Sequence, residues 1–273
     1  MVQTEIKQKT KLCLIAGDGE LPVQLVESAI KAGVEMTCFA VTKEAYSNLK
    51  SITKTFRFSV VEIFPGLEKL KELDIQKITF IGKVPKLEFF KNLHKLDKKL
   101  LDLVMSLKDL RDDSLHNILS DFASEHGLEI VEQTKYLKHL FPNKQIFTER
   151  KPTEEELEEI NFGMNLAKAM AANDVGQTVV IQNKSPLAIE AIEGTKECIK
   201  RGRKLSNGKP ITVCKVSKPN QDQRFDVPTV GLGTLKEAGK SCIIALEANE
   251  TFFINQKEAI KYANENNICI ISC

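Results

Sequence analysis

The residues best suited to chemistry concentrate in one stretch, Lys215 to Gly231 (KVSKPNQDQRFDVPTVG). A residue before proline is disfavoured in the helical region, so Pro219 and Pro228 mark the stretch as extended, and in an extended chain alternate side chains share a face. Asp222, Arg224 and Asp226 are then expected on one face. Two carboxylates bracketing a guanidinium suit phosphoryl chemistry: oxygen ligands for Mg²⁺ or Mn²⁺, and a fork that grips phosphate oxygens. The same charges also fit an exposed loop whose side chains face water.

Three further groups carry weaker signals. Gly17-Asp18-Gly19-Glu20-Leu21-Pro22 falls between a strand pattern and a helix pattern. Glycines there permit close backbone approach, and free N–H groups at the helix start suit a phosphate. The loop lacks the third glycine of a dinucleotide fingerprint, and Val41-Thr42-Lys43 supplies no acid to grip a ribose, so a structural turn and a phosphate contact both stay open. Arg111-Asp112-Asp113, near His116, fits either helix capping or a hydrated divalent cation. In Ala188 to Thr195 (AIEAIEGT), a strand reading puts Glu190 and Glu193 on opposite faces, so one must turn inward and needs a cationic or metal partner.

Composition excludes several classes. Lys plus Arg (39) nearly balances Asp plus Glu (37), which removes the field expected of a dedicated nucleic-acid binder. No apolar run reaches the roughly 20 residues of a spanning helix, and the start MVQTEIKQKTKL has no signal-peptide core, so a cytoplasmic location is expected. Seven scattered cysteines without a CxxC pair read as buried reduced thiols. The four histidines lie between His94 and His139, which leaves the C-terminal half to carboxylates, lysine and arginine.

The elements that must position these groups follow from periodicity. Lys11–Ile15 reads as a strand, Leu21–Ala32 as a helix ended by Gly33, Met36–Val41 as a strand, Leu67–Leu73 as a helix and Ile78–Ile81 as a strand. That alternation predicts a parallel sheet with helices on its faces. Leu87 to His139 is mostly helical in period, and the pattern breaks at Pro142, Asn143 and Pro152. Thr153-x-x-Glu156 is a capping box opening an acidic first helical turn. Strands follow at Thr178–Ile181, Ala188–Glu193, Thr212–Ser217, Ser241–Leu246, Phe252–Ile254 and Ile268–Ser272, with helices from Thr195 and Lys257, a mixed-sheet pattern. The expected architecture is two tandem α/β domains: a Rossmann-like parallel-sheet domain at 1–140, a linker at 141–152, and a catalytic mixed-sheet domain at 153–273.

The chain also resembles the UDP-2,3-diacylglucosamine pyrophosphatase family. The matching pieces are IAGDGELP at 15–22, IGKVPK at 81–86, RDDSL at 111–115, NDVGQTVV at 173–180, AIEAIEGT at 188–195 and the 215–231 stretch, in order along nearly the whole chain. The last is the most specific. The resemblance implies metal-dependent hydrolysis, with Mg²⁺ or Mn²⁺, of UDP-2,3-diacylglucosamine to UMP and 2,3-diacylglucosamine 1-phosphate in lipid A synthesis, with the lipid product held between two domains. A lipid-linked nucleotide sugar is thus the implied substrate and no nucleic acid is; peripheral contact at the inner membrane and the oligomeric state stay open. The family's key aspartate falls on Asp226, and Lys215, Lys218, Gln221, Arg224 and Thr229 fall on other positions of its frame. Gly17, Gly19, Lys83, Glu193 and Thr195 fall in the other matching pieces and are expected to bind substrate. The frame does not require an acid at Asp222, so Asp226 ranks first as metal ligand and Asp222 second. Relatives often read EGTD where this chain has Glu193-Gly194-Thr195-Lys196, so a ligand at that aspartate would have no counterpart here. The rival reading is a non-catalytic nucleotide-sugar or dinucleotide-binding module built on the Gly17 turn.

Overall fold

A computed structural model describes residues 9–59, 61–84 and 112–273, without the side chains of 112–116. The expectations for Arg111, Asp112, Asp113 and His116, and much of the helical reading of 87–139, lie outside that part. The chain divides into two compact units: Met1–Leu137 with Gln223–Asp226, and Lys138–Asp222 with Val227–Cys273.

Among its described residues, the first unit runs β1 (Lys11–Ala16), α1 (Leu21–Lys31), β2 (Glu35–Ala40), α2 (Lys43–Leu49), β3 (Lys54–Arg57), α3 (Ile63–Glu72), β4 (Lys77–Ile81), α4 (Asp112–Glu125) and β5 (Glu129–Ile130). The strands form a wholly parallel sheet in the order β3-β2-β1-β4-β5, a doubly wound order whose direction reverses between β1 and β4. Central β1 is apolar and almost wholly buried, as a strand covered on both faces must be. Pro22 sits in the first turn of α1, where its missing N–H costs nothing, and Leu25, Val26 and Ala29 face the core. Neither α2 nor β3 is legible in the sequence. Thr42 caps α2 by accepting from the Ala45 N–H at 3.1 Å, and β3 is an edge strand with no fully buried residue.

The second unit runs β6 (Gln145–Ile146), α5 (Glu154–Ala172), β7 (Thr178–Gln182), β8 (Ser185–Ile189), α6 (Gly194–Leu205), β9 (Thr212–Lys215), β10 (Thr229–Val230), α7 (Leu232–Ala238), β11 (Ile243–Leu246), β12 (Phe252–Phe253), α8 (Gln256–Glu265) and β13 (Cys269–Ser272). Its sheet is mixed, in the order β6-β13-β11-β9-β7-β8, with β9, β11 and β13 parallel, β6 and β7 antiparallel to the strands they join, and β8 antiparallel to β7. Ile160, Ala167 and Ala171 of α5 share a buried core with sheet residues such as Ile181 and Ile243, while α6, α7 and α8 contribute Ile199, Leu235 and Ala259 to a second core with Val213 and Ile244. The capping box opens α5 as its spacing predicts, with Thr153 and Glu156 each bonding the other's backbone N–H.

Two local expectations differ from what is found. Residues 141–152 carry β6, and Phe147 N–H donates to Ile270 O at 2.9 Å, so the segment is built into the second sheet. The strand expected at Ala188–Glu193 instead spans Ser185–Ile189. Asn183 and Lys184 take φ of 50° and 56°, the left-handed pair of a two-residue hairpin turn, so β8 starts directly after Lys184 and ends four residues before Glu193. All seven cysteines are free thiols and six are buried; burial pushes Cys38, Cys198 and Cys242 up to about 12.

Candidate active site

One edge of the second sheet gathers the polar groups. Lys215 is the last residue of β9 and stands in register with Thr178, the first residue of antiparallel β7. Beyond the end of β8, Glu190 N–H donates to Thr178 O at 2.9 Å, which brings Glu190 to the same edge. That approach requires Gly176, because a Cβ there would strike the backbone carbonyl of Glu190. Glycine here serves close contact.

A directed hydrogen-bond chain results. Lys215 Nζ donates to Thr195 Oγ1 at 2.8 Å, and Thr195 Oγ1 donates to Glu190 Oε1 at 2.8 Å. An ammonium only donates, so the single hydroxyl proton of Thr195 must point at the carboxylate. Lys215 is buried, 8% exposed. The second carboxylate oxygen, Glu190 Oε2, is shielded from solvent and has no hydrogen-bond partner among the described residues. A buried acceptor in that state costs about 1–3 kcal/mol, so it marks where a donor on a ligand would be welcome. Glu193 points the other way. It accepts from Ala191 N–H at 3.2 Å and pairs with Arg201, and its own backbone N–H, ahead of Arg201, holds its carboxyl below the usual range. Of the two glutamates, the inward member is Glu190; the hairpin turn that shifts β8 hid this from a strand-period reading.

The segment after β9 is tied down residue by residue. Ser217 donates from N and Oγ to Glu247 Oε2 at 2.8 and 3.0 Å, and Lys168 Nζ meets Glu247 Oε1 at 2.6 Å. Lys218 forms an ion pair with Asp174. Gln221 Oε1 accepts from Gln177 Nε2 at 2.8 Å and from Lys218 N–H at 3.3 Å. The 173–180 and 215–231 motifs are therefore one construction, and Asp174, Gln177, Lys168 and Glu247 belong to it although sequence reasoning did not single them out as site residues. Asp174 and Gln177 had a signal, their place in the NDVGQ piece; Lys168 and Glu247 had none. Thr229 opens β10 and its hydroxyl donates to Val227 O at 3.1 Å. Lys196, at the departure from EGTD, is exposed and lies 3.4 Å from Glu237.

In the first unit, Gly17 and Lys83 sit where the sheet direction reverses, between the ends of β1 and β4. Gly17 N–H donates to Ile81 O at 2.9 Å, and Asp18 and Lys83 exchange two backbone bonds of 2.9 Å. A Cβ on Gly17 would lie 2.6 Å from Lys83 O, so this glycine lets two strand ends touch. Gly19 has φ of 106°, a backbone that excludes other residues on strain alone, and its N–H donates to Glu44 Oε1 at 3.2 Å. The N–H groups of Gly17, Asp18 and Gly19 are thus each bonded within the protein.

Residues 222–226 correct the extended reading. The chain turns at 223–225, and Asn220 and Asp226 take φ of 58° and 46°, so period-two alternation fails and Asp222, Arg224 and Asp226 do not form one strand face. Tertiary contacts impose the turn. Phe225 is buried with its ring 5.6 Å from that of Phe80, Gln133 N–H donates to Gln223 O at 3.0 Å, and Gln133 Nε2 donates to Arg224 O at 3.2 Å. The Arg224 guanidinium lies 5.5 Å from the Phe225 ring, and Asp226 is exposed. Asp222 belongs to the second unit and Gln223–Asp226 to the first. Among the described residues, no group of three or more His, Cys, Asp or Glu is placed to share a metal ion.

A doubly wound parallel sheet followed by a mixed sheet with a Glu–Thr–Lys chain at its strand ends defines a tandem α/β protein with a polar strand-end site. Residues 11–140 match the LpxI N-terminal domain and residues 143–271 the LpxI C-terminal domain, and the chain belongs to the LpxI family. The UDP-2,3-diacylglucosamine pyrophosphatase LpxI of Caulobacter vibrioides is 24% identical over 283 residues, covering 96% of each chain. The bifunctional purine biosynthesis protein PurH of Caldicellulosiruptor saccharolyticus is 29% identical over 185 residues, 64% of this chain and 33% of that protein. Among solved structures, the biotin carboxylase subunit of pyruvate carboxylase matches over 63% of this chain and 35% of its own at 10% identity, with a TM-score of 0.26.

Proposed function

We propose that the protein hydrolyses the diphosphate of UDP-2,3-diacylglucosamine, releasing UMP and 2,3-diacylglucosamine 1-phosphate for lipid A assembly in the cytoplasm. The observation that carries this reading is the match of both LpxI domain models, in order, over 11–140 and 143–271. The chemistry of the site agrees with it. Diphosphate cleavage needs charge neutralised on the phosphates and a held water. Lys215, kept in place by Thr195 and Glu190, supplies a buried cation for a phosphate oxygen, and Lys218 and Arg224 supply further cations. The exposed carboxylate of Asp226 is the group we assign to activating the water.

We also propose dependence on Mg²⁺ or Mn²⁺. The donor chemistry fits: Mg²⁺ is commonly bound by one or two carboxylates together with waters and substrate phosphates, which Asp226, with Asp222 as the second choice, can supply without a larger cluster. Such an ion supplies Lewis-acid neutralisation of the diphosphate. Incubating purified protein with UDP-2,3-diacylglucosamine and measuring UMP by chromatography tests both statements. UMP release that EDTA stops and added Mg²⁺ or Mn²⁺ restores is the expected result. Release untouched by EDTA removes the metal, and no release under any of these conditions, with the substrate bound intact, leaves a nucleotide-sugar-binding module instead.

A further inference from the structure

Ile192 is completely exposed, at 102% of its reference area, on the loop that places Glu190 and Thr195 at the candidate active site. A lone exposed isoleucine is ordinary; its surroundings are not. Helix α6, which follows, carries Lys196, Lys200, Arg201, Arg203 and Lys204 against one acid, Glu197, in 12 residues, while the whole chain carries only +2. All five cations are exposed, and the opposite side of the helix buries Cys198, Ile199 and Gly202. Leu205, 52% exposed, ends the helix as a second apolar group at the surface. The Arg203 guanidinium packs against Gly239, and Lys236 and Lys240, on either side of Gly239 in the sequence, are likewise exposed. Glu193, Glu197 and Glu237 pair with Arg201, Lys200 and Lys196, but these are exposed ion pairs of little individual strength that lipid phosphates can replace.

We propose that loop 190–193 and the exposed face of α6 form a docking surface for an anionic lipid bilayer. The cations engage headgroup phosphates, and Ile192 enters the interface beside them. Charge complementarity selects an anionic partner, and the fully exposed isoleucine selects a bilayer over nucleic acid, whose phosphates offer it nothing. The purpose of the surface rests on the hydrolase reading, since docking would hold Thr195 and Glu190 at the layer that contains acyl chains; the surface itself does not.

Co-flotation of the full chain with substrate-free vesicles tests it, comparing phosphatidylethanolamine vesicles containing about a quarter phosphatidylglycerol with pure phosphatidylcholine at low salt. Binding to the anionic vesicles alone is expected. Each cation near such a surface contributes about fivefold in partitioning, so Lys200→Glu with Lys204→Glu should weaken binding roughly 25-fold or more. Ile192→Ser should weaken it about tenfold, through lost apolar burial. Lys257→Glu with Lys261→Glu, the same charge change on exposed positions of α8, should leave binding close to wild type. Absence of anionic-vesicle binding, an equal loss in the α8 control, or an Ile192→Ser variant that binds like wild type overturns the proposal, the last pointing to a purely electrostatic surface such as one for nucleic acid. Vesicle binding without UMP release would sink the hydrolase reading and leave the docking surface standing.

Discussion

Asp226 shows how backbone and chemistry combine at a single residue. Its φ of 46° lies in the left-handed region, which aspartate and asparagine tolerate and alanine resists by about 1–2 kcal/mol. Asp226→Asn should therefore keep the melting temperature, while Asp226→Ala lowers it. If the carboxylate activates water, both should lose roughly 10²–10⁴ in kcat. Near-normal turnover in the asparagine variant would move the chemistry elsewhere. At Glu190, the amide of Glu190→Gln removes the charge that Lys215 meets through Thr195, so kcat should fall by about tenfold or more with a smaller change in KM. Thr195→Ser should rescue most of what Thr195→Val loses, because only the hydroxyl links lysine to carboxylate. Equal activity of the two threonine variants would reduce the chain to packing.

At the scale of elements, the site depends on where strands end. Lys215, Thr178 and Glu190 meet because β7 runs antiparallel beside β9 and β8 turns back antiparallel to β7, so one edge receives a strand end, a strand start and a hairpin end together. Gly176 makes that edge possible. Gly176→Ala forces a Cβ into a backbone carbonyl that has no rotamer to relax, so a loss of about 2–4 kcal/mol in urea unfolding is expected, with activity lost beyond the unfolded fraction. Thr153→Ala, which removes only the cap of α5, should cost about 1 kcal/mol and leave kcat alone. An alanine at 176 that costs no more than the cap variant would show that the edge can shift to accommodate it.

At the scale of the whole molecule, the buried thiols set an alkaline limit. Cys38, Cys198 and Cys242 are pushed from 9.0 up to about 12 by burial, and Cys13 and Cys214 are raised as well. The unfolded chain loses these protons above about pH 9 while the folded chain retains them, so stability is fully present below pH 9 and is lost progressively up to about pH 12. Urea midpoints should fall across that window, and thiol reagents at pH 8 should reach the half-buried Cys273 before the other six. Midpoints independent of pH from 9 to 12 would contradict the burial of these groups.

Local physics made much of this protein legible from its residues alone. The alternation of apolar runs with amphipathic helices determines a parallel sheet followed by a mixed one, and the Thr153–Glu156 box determines where α5 begins, because hydrophobic period and capping act over a few neighbouring residues. The 215–231 stretch is recognisable as the richest in site chemistry for the same reason. Tertiary structure alone decided that Glu190 and not Glu193 turns inward, since that depends on a left-handed hairpin turn at Asn183-Lys184 and on Gly176 admitting a distant carbonyl. It also decided that 223–226 turns instead of extending. Proline spacing favours an extended chain by a small local preference, whereas burying Phe225 against Phe80 and bonding Gln223 and Arg224 to Gln133, some 90 positions earlier, outweighs it.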